Sequence, residues 1–322
     1  MRVIILGLGA IGGTVAAALA LAGQEVLGIA RGAQLDAIRE GGLTLRTPEG
    51  TRTARFDCVG SPSEVEFRPD DVVLLATKTQ HSLQAMEDLR AAGMDDQPLF
   101  CLQNGVENER LALRRFPNVH GVTVMMPAQF LVPGEVACFS TPCHGLFDIG
   151  RYPAGSDADD ERLSEALNTA NIAAFVAPDV MASKYGKLLL NLRNAVQATI
   201  GMQENTRAID ARLQEEARAV LEGAGIAWKD VSGADPRRDR YLKIVDIADV
   251  KWAGSSSVQS LLRGTASIET DYLNGEIALL ARLHGLQAPA NAWFTRRAAR
   301  MVADRSEPGT VPLAEAEAAL GL

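Results

Sequence analysis

Aromatic residues are scarce in this chain, 5% of its 322 positions, and so are cysteines, of which there are four. Cys58, Cys101, Cys138 and Cys143 form no Cys-x-x-Cys pair, and His144 beside Cys143 completes no zinc pattern. Neither a disulfide framework nor a metal site is therefore expected. An excess of basic residues is also lacking: 32 Lys and Arg face 40 Asp and Glu, a net charge of −8. That leaves no electrostatic footprint for nucleic acid. Short basic runs such as Arg237-Arg238-Asp239-Arg240 read as solvated faces. The acidic run Asp157 to Glu161 reads as an exposed loop or a helix start. No apolar run approaches the roughly 20 residues of a membrane span. The first apolar stretch is interrupted by Gly7, Gly9, Gly12 and Gly13 and follows no basic segment, unlike a signal peptide. A reduced, cytoplasmic protein is expected.

What is present is alternation. Val3–Leu6, Glu25–Ala30, Asp71–Ala76 and Pro98–Leu102 are short apolar runs separated by helical patterns. Continuous apolar runs suit strands buried on both faces, and the rhythm predicts a parallel sheet with helices on either side. Val122–Met126, Glu135–Phe139 and Gly145–Ile149 read as further strands. Beyond Pro178 strand runs nearly vanish. Helices are predicted over Lys187–Ala198, Arg207–Glu222, Val258–Arg263, Ile268–His284 and Ala290–Ala303. In the fourth, Ile268, Tyr272, Leu279 and Leu283 fall on one stripe. The expected architecture is an α/β Rossmann-type domain over residues 1–177 and an all-α domain over 178–322.

Gly7-Leu8-Gly9-Ala10-Ile11-Gly12 is a Gly-x-Gly-x-x-Gly that follows a strand and opens a helix. In that context it is a dinucleotide fingerprint: glycines for the tight turn, for pyrophosphate approach and for helix–strand packing. Binders of NAD place an acid about 20 residues on, at the end of the second strand. This chain has Arg31, whose planar fork suits a phosphate, so NADP(H) is expected. Lys78 and Asn104 follow later strands at the carboxyl edge, where such cofactors lie. Asn104-Gly105 is equally readable as a simple turn.

On Lys187–Asn194, taken as one helix at about 100° per residue, Asn191 lies about 40° from Lys187 and Asn194 about 20° to its other side. One face thus carries an ammonium and two amides among Leu188, Leu189, Leu190 and Leu192. Either these groups line a site, or Lys187 snorkels to water and the amides bond neighbouring helices. Lys184 is expected to be exposed. Ser255-Ser256-Ser257 can serve as a helix N-cap, and Glu269 and Asp271 suit a helix's first turn without any function.

Together these elements resemble the ketopantoate reductase (2-dehydropantoate 2-reductase) family over nearly the whole length. The distinctive parts are the Lys-Leu-Leu-Leu-Asn helix and Glu269-Thr-Asp-Tyr-Leu-Asn-Gly275. The resemblance implies Lys187 as proton donor and Asn191, Asn194 and Ser257 as substrate-binding residues. It places Glu269 at the cofactor and reaction centre, Asn104 near cofactor and substrate, and Ala128 by the nicotinamide. Gly7 to Gly12, Arg31 and Lys78 complete the cofactor set. Three departures fall on the substrate side: Ala195 and Gly254 stand where the family has asparagine, and Gln203, Glu204 and Asn205 compete for a loop position. The implied activity is NADPH-dependent reduction of ketopantoate to pantoate, in pantothenate and coenzyme A biosynthesis. The alternatives are reduction of another small 2-keto acid, or an NADP sensor without turnover. Expected partners are a small 2-keto acid and, at most, a second copy of the chain in a homodimer, with no nucleic acid and no membrane.

Overall fold

The computed structural model describes residues 1–264 and 268–322. The chain begins β1 (Arg2–Leu6), α1 (Ala10–Leu21), β2 (Glu25–Ile29), α2 (Gly32–Gly41), β3 (Leu43–Thr47), β4 (Gly50–Ala54) and β5 (Asp57–Val59). It continues β6 (Asp71–Leu75), α3 (Thr79–Ala91), β7 (Leu99–Cys101), α4 (Asn108–Leu113), β8 (Val119–Met125), β9 (Ala128–Val132) and β10 (Glu135–Cys138). Next come β11 (Ser140–Pro142), β12 (Leu146–Arg151), α5 (Ala158–Thr169), β13 (Ala173–Val176), α6 (Val180–Asn191), α7 (Arg193–Thr199) and α8 (Arg207–Gly223). The last are α9 (Pro236–Tyr241), β14 (Leu242–Ile244), α10 (Ser256–Leu262), α11 (Asn274–Leu283), α12 (Pro289–Ala303) and α13 (Leu313–Leu320). Among the described residues no helix is long and apolar enough to cross a membrane.

Two compact units form. The first comprises Met1–Gln103, Glu107–Ser183 and Gly233–Trp252; the second comprises Asn104–Val106, Lys184–Ser232 and Ala253–Leu322. In the first, an eight-stranded sheet runs β13-β12-β8-β7-β6-β1-β2-β5 among the described residues. Its pairs are parallel except β12 with β8. Alternate side chains leave opposite faces. Val3, Ile5, Val72 and Leu74 pack with Val15 and Leu19 of α1, while Ile4, Leu6, Val73 and Leu75 pack with Met86 and Leu89 of α3. The α/β expectation holds, and burial on both faces is why the apolar runs were continuous. Arg2 and Asp71, opposite each other in register, close the start of β1 and β6 with a buried two-point ion pair at 2.6 and 2.8 Å.

A second sheet, β4-β3-β10-β9, was only partly foreseen: of its strands, β10 alone was expected. Leu-Thr-Leu-Arg-Thr and Gly-Thr-Arg-Thr-Ala carry too few apolar residues to announce strands. The run Asp157 to Glu161 starts α5, with Asp157 and Asp160 forming a reciprocal capping box. Arg237 departs from its expected solvated role. It is part-buried and bonds Asp148 at 2.6 Å and Asp235 at 2.7 Å, because Asp235 caps α9 and holds the guanidinium over Asp148. This clamp, with β11 pairing β14, fastens Gly233–Trp252 into the first unit.

The second unit is helical, as expected. The helix read as Lys187–Ala198 begins earlier, at Val180, and divides at Leu192 into α6 and α7. The helix read as Ile268–His284 is a 3-10 turn, Glu269–Tyr272, followed by α11. Leu273 sits between them at φ −116°, ψ −91°, outside the helical region. The phase is reset there, so the stripe through Leu279 and Leu283 is not buried. Ile277, Leu280 and Ala281 face inward, and Leu279 and Leu283 are exposed.

Candidate functional site

The glycine loop leaves β1 at its carboxyl end. Gly7 adopts φ +103°, and a Cβ there would meet the backbone of Ala76 and Thr77 at 2.9–3.1 Å. A Cβ on Gly12 would lie 2.1 Å from the Gly7 carbonyl and 2.8 Å from the Ala76 methyl. Gly9, in contrast, has nothing within 4 Å of the same point. One glycine thus permits the turn, one permits packing, and the one at the α1 N-cap leaves open space, as pyrophosphate approach requires. No side chain caps α1 and no acid stands in its first turn, so its N–H groups and dipole are left for an anion.

Arg31 lies two residues past β2, as the N-cap of α2. Its side chain is 70% exposed and its guanidinium rests 3.0 Å from Asp88 on α3. Lys78 follows β6 as the N-cap of α3 and is half-buried. Ala128 starts β9, and its N–H donates to the Met126 carbonyl at 2.9 Å in a tight turn.

In the second unit, Gly105 takes φ +82° and its α-carbon approaches the Tyr272 carbonyl so closely that a Cβ would lie at 2.8 Å. Gly105 thus sits against the segment that begins with buried Glu269, and Asn104 directly precedes it. Helix α6 carries Lys187, half-buried, and Asn191, 5% exposed. The Nδ2 of Asn191 has no hydrogen-bond partner among the described residues. Lys184 corrects expectation: it is buried, 3% exposed, on a helix that already begins at Val180. Gly186 between the two lysines is required, since a Cβ would fall 1.7 Å from the Lys229 carbonyl. Asn194, beyond the division, donates to Ser256 Oγ of α10 at 3.4 Å.

The serine run does not cap its helix. Ser255 occupies the N-cap position of α10 without a side-chain capping bond. Among the described residues Ser255 Oγ and Ser257 Oγ are both buried and without a hydrogen-bond partner, Ser257 being 2% exposed. Thr270 Oγ1, beside Glu269, is in the same condition. Buried polar atoms are almost always satisfied, so each such group asks for a partner. The unit therefore holds an ammonium-bearing helix, an unsatisfied amide donor and unsatisfied hydroxyls, a set able to take up a small polar anion and pass it a proton.

A buried polar chain through Glu216, Asn291 and Asn274 was not read in the sequence. Glu216 gave one signal, standing among Ile209, Leu213, Ala217 and Val220 on the apolar face of α8.

The sequence profile of the ketopantoate reductase PanE/ApbA family matches residues 3–153, and its C-terminal profile matches residues 179–301. The chain belongs to the ketopantoate reductase family. It is 30% identical over 315 residues to a 2-dehydropantoate 2-reductase of Mesorhizobium japonicum, covering 88% of this chain and 92% of that one. It is 27% identical over 294 residues to that of Pyrococcus abyssi, covering 90% and 94%. A PanE/ApbA family ketopantoate reductase from Ralstonia eutropha JMP134 superposes with a TM-score of 0.78 at 26% identity, covering 95% and 99%. The fold is also that of D-mandelate dehydrogenase, solved with NADH and anilino(oxo)acetate, at a TM-score of 0.80 and 22% identity over 95% and 99% of the two chains.

Proposed function

We propose that this chain catalyses NADPH-dependent reduction of 2-dehydropantoate to pantoate in the cytoplasm, the part before residue 178 holding most of the cofactor and the part from 178 onward the keto acid. The observation that carries the reading is the pair of buried, unsatisfied groups Asn191 Nδ2 and Ser257 Oγ in the unit that bears Lys187. The residues fit a dinucleotide: Gly9 opens onto free space and α1 offers an uncapped N-terminus. Gly7 to Gly12 would hold the pyrophosphate, Arg31 the 2′-phosphate, and Lys78, Asn104, Ala128 and Glu269 the remainder. When bound, the reduced cofactor supplies a hydride to the ketone carbon. Lys187 stabilises the charge that develops on the ketone oxygen and gives that oxygen its proton, a contribution of roughly 10²–10⁴-fold. Asn191, Asn194 and Ser257 hold the substrate's hydroxyl and carboxylate.

A second substrate is favoured by one observation. Gly254 stands at φ +97°, and a Cβ there would meet Met202 Sδ at 2.6 Å. The position where the resemblance expects an asparagine is built for glycine, so one substrate contact is missing. Another small 2-keto acid is the alternative. The test follows NADPH oxidation with ketopantoate against pyruvate and 2-oxoisovalerate. Ketopantoate should have the highest kcat/KM; tight NADPH binding without oxidation by any of the three would indicate a sensor instead.

A further inference from the structure

Glu216 of α8 points its carboxylate at the start of α12. The carboxylate accepts the N–H groups of Ala290 at 3.0 Å and Asn291 at 3.1 Å, and the Asn291 side-chain amide at 3.2 Å. The N-cap of α12, Ala288, offers no capping side chain. Glu216 therefore acts as a cap from another helix, where a negative charge suits the dipole. Asn291 Nδ2 also donates to the Leu213 carbonyl at 3.1 Å, so its Oδ1 must face the other way. That oxygen accepts from Asn274 Nδ2 at 3.1 Å. The same Nδ2 donates to the Leu192 carbonyl at 3.2 Å. Asn274 and Asn291 are both 0% exposed. Each amide orientation is thus dictated by the next group in the chain.

Leu192 is where α6, with Lys187 and Asn191, divides from α7, with Asn194. We infer that Asn274 is a positioning residue for the keto-acid site. Anchored through Asn291 on Glu216, it holds the Leu192 carbonyl and so fixes how the substrate amides of α6 and α7 are set relative to each other. The inference rests on the proposed roles of Asn191 and Asn194. A bond to a main-chain carbonyl adjacent to Asn191 can govern its aim without touching the ligand, and Asn274 makes that bond and the one to Asn291 through the same Nδ2, its Oδ1 having no partner among the described residues.

The test uses Asn274→Ala in the full-length protein, alone and combined with Asn191→Ala, with steady-state kinetics and amide hydrogen exchange. Loss of one such bond should raise the keto-acid KM by roughly 5-fold, leave NADPH KM unchanged and change kcat less than KM. In the Asn191→Ala background the further increase should shrink to under about 2-fold, because the two residues act as one unit. Exchange at Arg193–Val196 should quicken while α8 stays protected. A lower melting temperature with unchanged KM would reduce Asn274 to a structural role and overturn the inference. A raised KM with unchanged exchange would mean direct contact with substrate and would overturn it too. If the wild-type protein reduces no keto acid, the proposed function fails on its own account, and unchanged exchange at Arg193–Val196 would separately sink the hold on Leu192. Should Asn274→Ala not fold, Asn274→Ser, which keeps one donor, carries the same measurements.

Discussion

Lys187 is half-buried on α6, three residues beyond a lysine that is almost wholly buried. Lys187→Ala should cut kcat by about 10²-fold or more, the usual size of positioned proton transfer, with NADPH binding retained. Lys187→Arg should also be poor, since guanidinium keeps its proton. Lys184 is buried, and its replacement should show first as a lower melting temperature. Arg31 has a different constraint, its ion pair with Asp88. A hydrogen bond to a charged group is worth about 1.5–3 kcal/mol, so Arg31→Ala should weaken NADPH binding by roughly tenfold or more. NADH affinity, read by the same titration, should barely move; equal losses would remove the 2′-phosphate assignment. His144 sets a pH effect. Burial lowers its pKa below the usual imidazole value, against the pull of Glu49. The unfolded chain, with an imidazole near 6.5, therefore takes up the proton first. This share of stability is complete above about pH 6.5 and is lost as pH falls through that value towards the folded one. Melting curves of His144→Gln should be flatter with pH across that window than those of the wild type.

Helix α6 tolerates almost nothing at Gly186, where the Lys229 carbonyl fills the space of a side chain. Gly186→Ala forces backbone apart and should cost at least about 1–3 kcal/mol, seen as a melting temperature several degrees lower. The helix also illustrates what periodicity can and cannot reveal. Central strands β1, β2, β6 and β7 were legible because burial on both faces leaves an unbroken apolar run. Strands β3 and β4 were not, since threonine and arginine on a half-exposed sheet imitate a loop. The divisions at Leu192 and Leu273 carry neither proline nor glycine at the break itself, so nothing local marks them. Of the candidate site, the glycine loop was legible from spacing alone. That Ser257 is unsatisfied rather than capping could only be learned from where α10 begins. The Glu216–Asn291–Asn274 chain joins residues far apart in sequence, beyond the reach of any local pattern.

At the scale of the whole molecule, neither compact unit is a single stretch of chain. The path passes from the first to the second at Gln103, returns at Glu107, leaves again after Ser183, comes back for Gly233–Trp252 and then stays with the second. The returning segment supplies β14 to pair with β11 and Arg237 to meet Asp148. Synthesis is directional, and domains generally fold as units while the chain emerges at about 5–20 residues per second. A ribosome that has delivered only the residues up to Ser232 has therefore released the β11 segment without β14, the strand that pairs with it, and an Asp148 without its guanidinium. Several seconds of translation separate that segment from the strand that covers it, an interval in which a newborn chain offers chaperones, or its own neighbours, a place to bind.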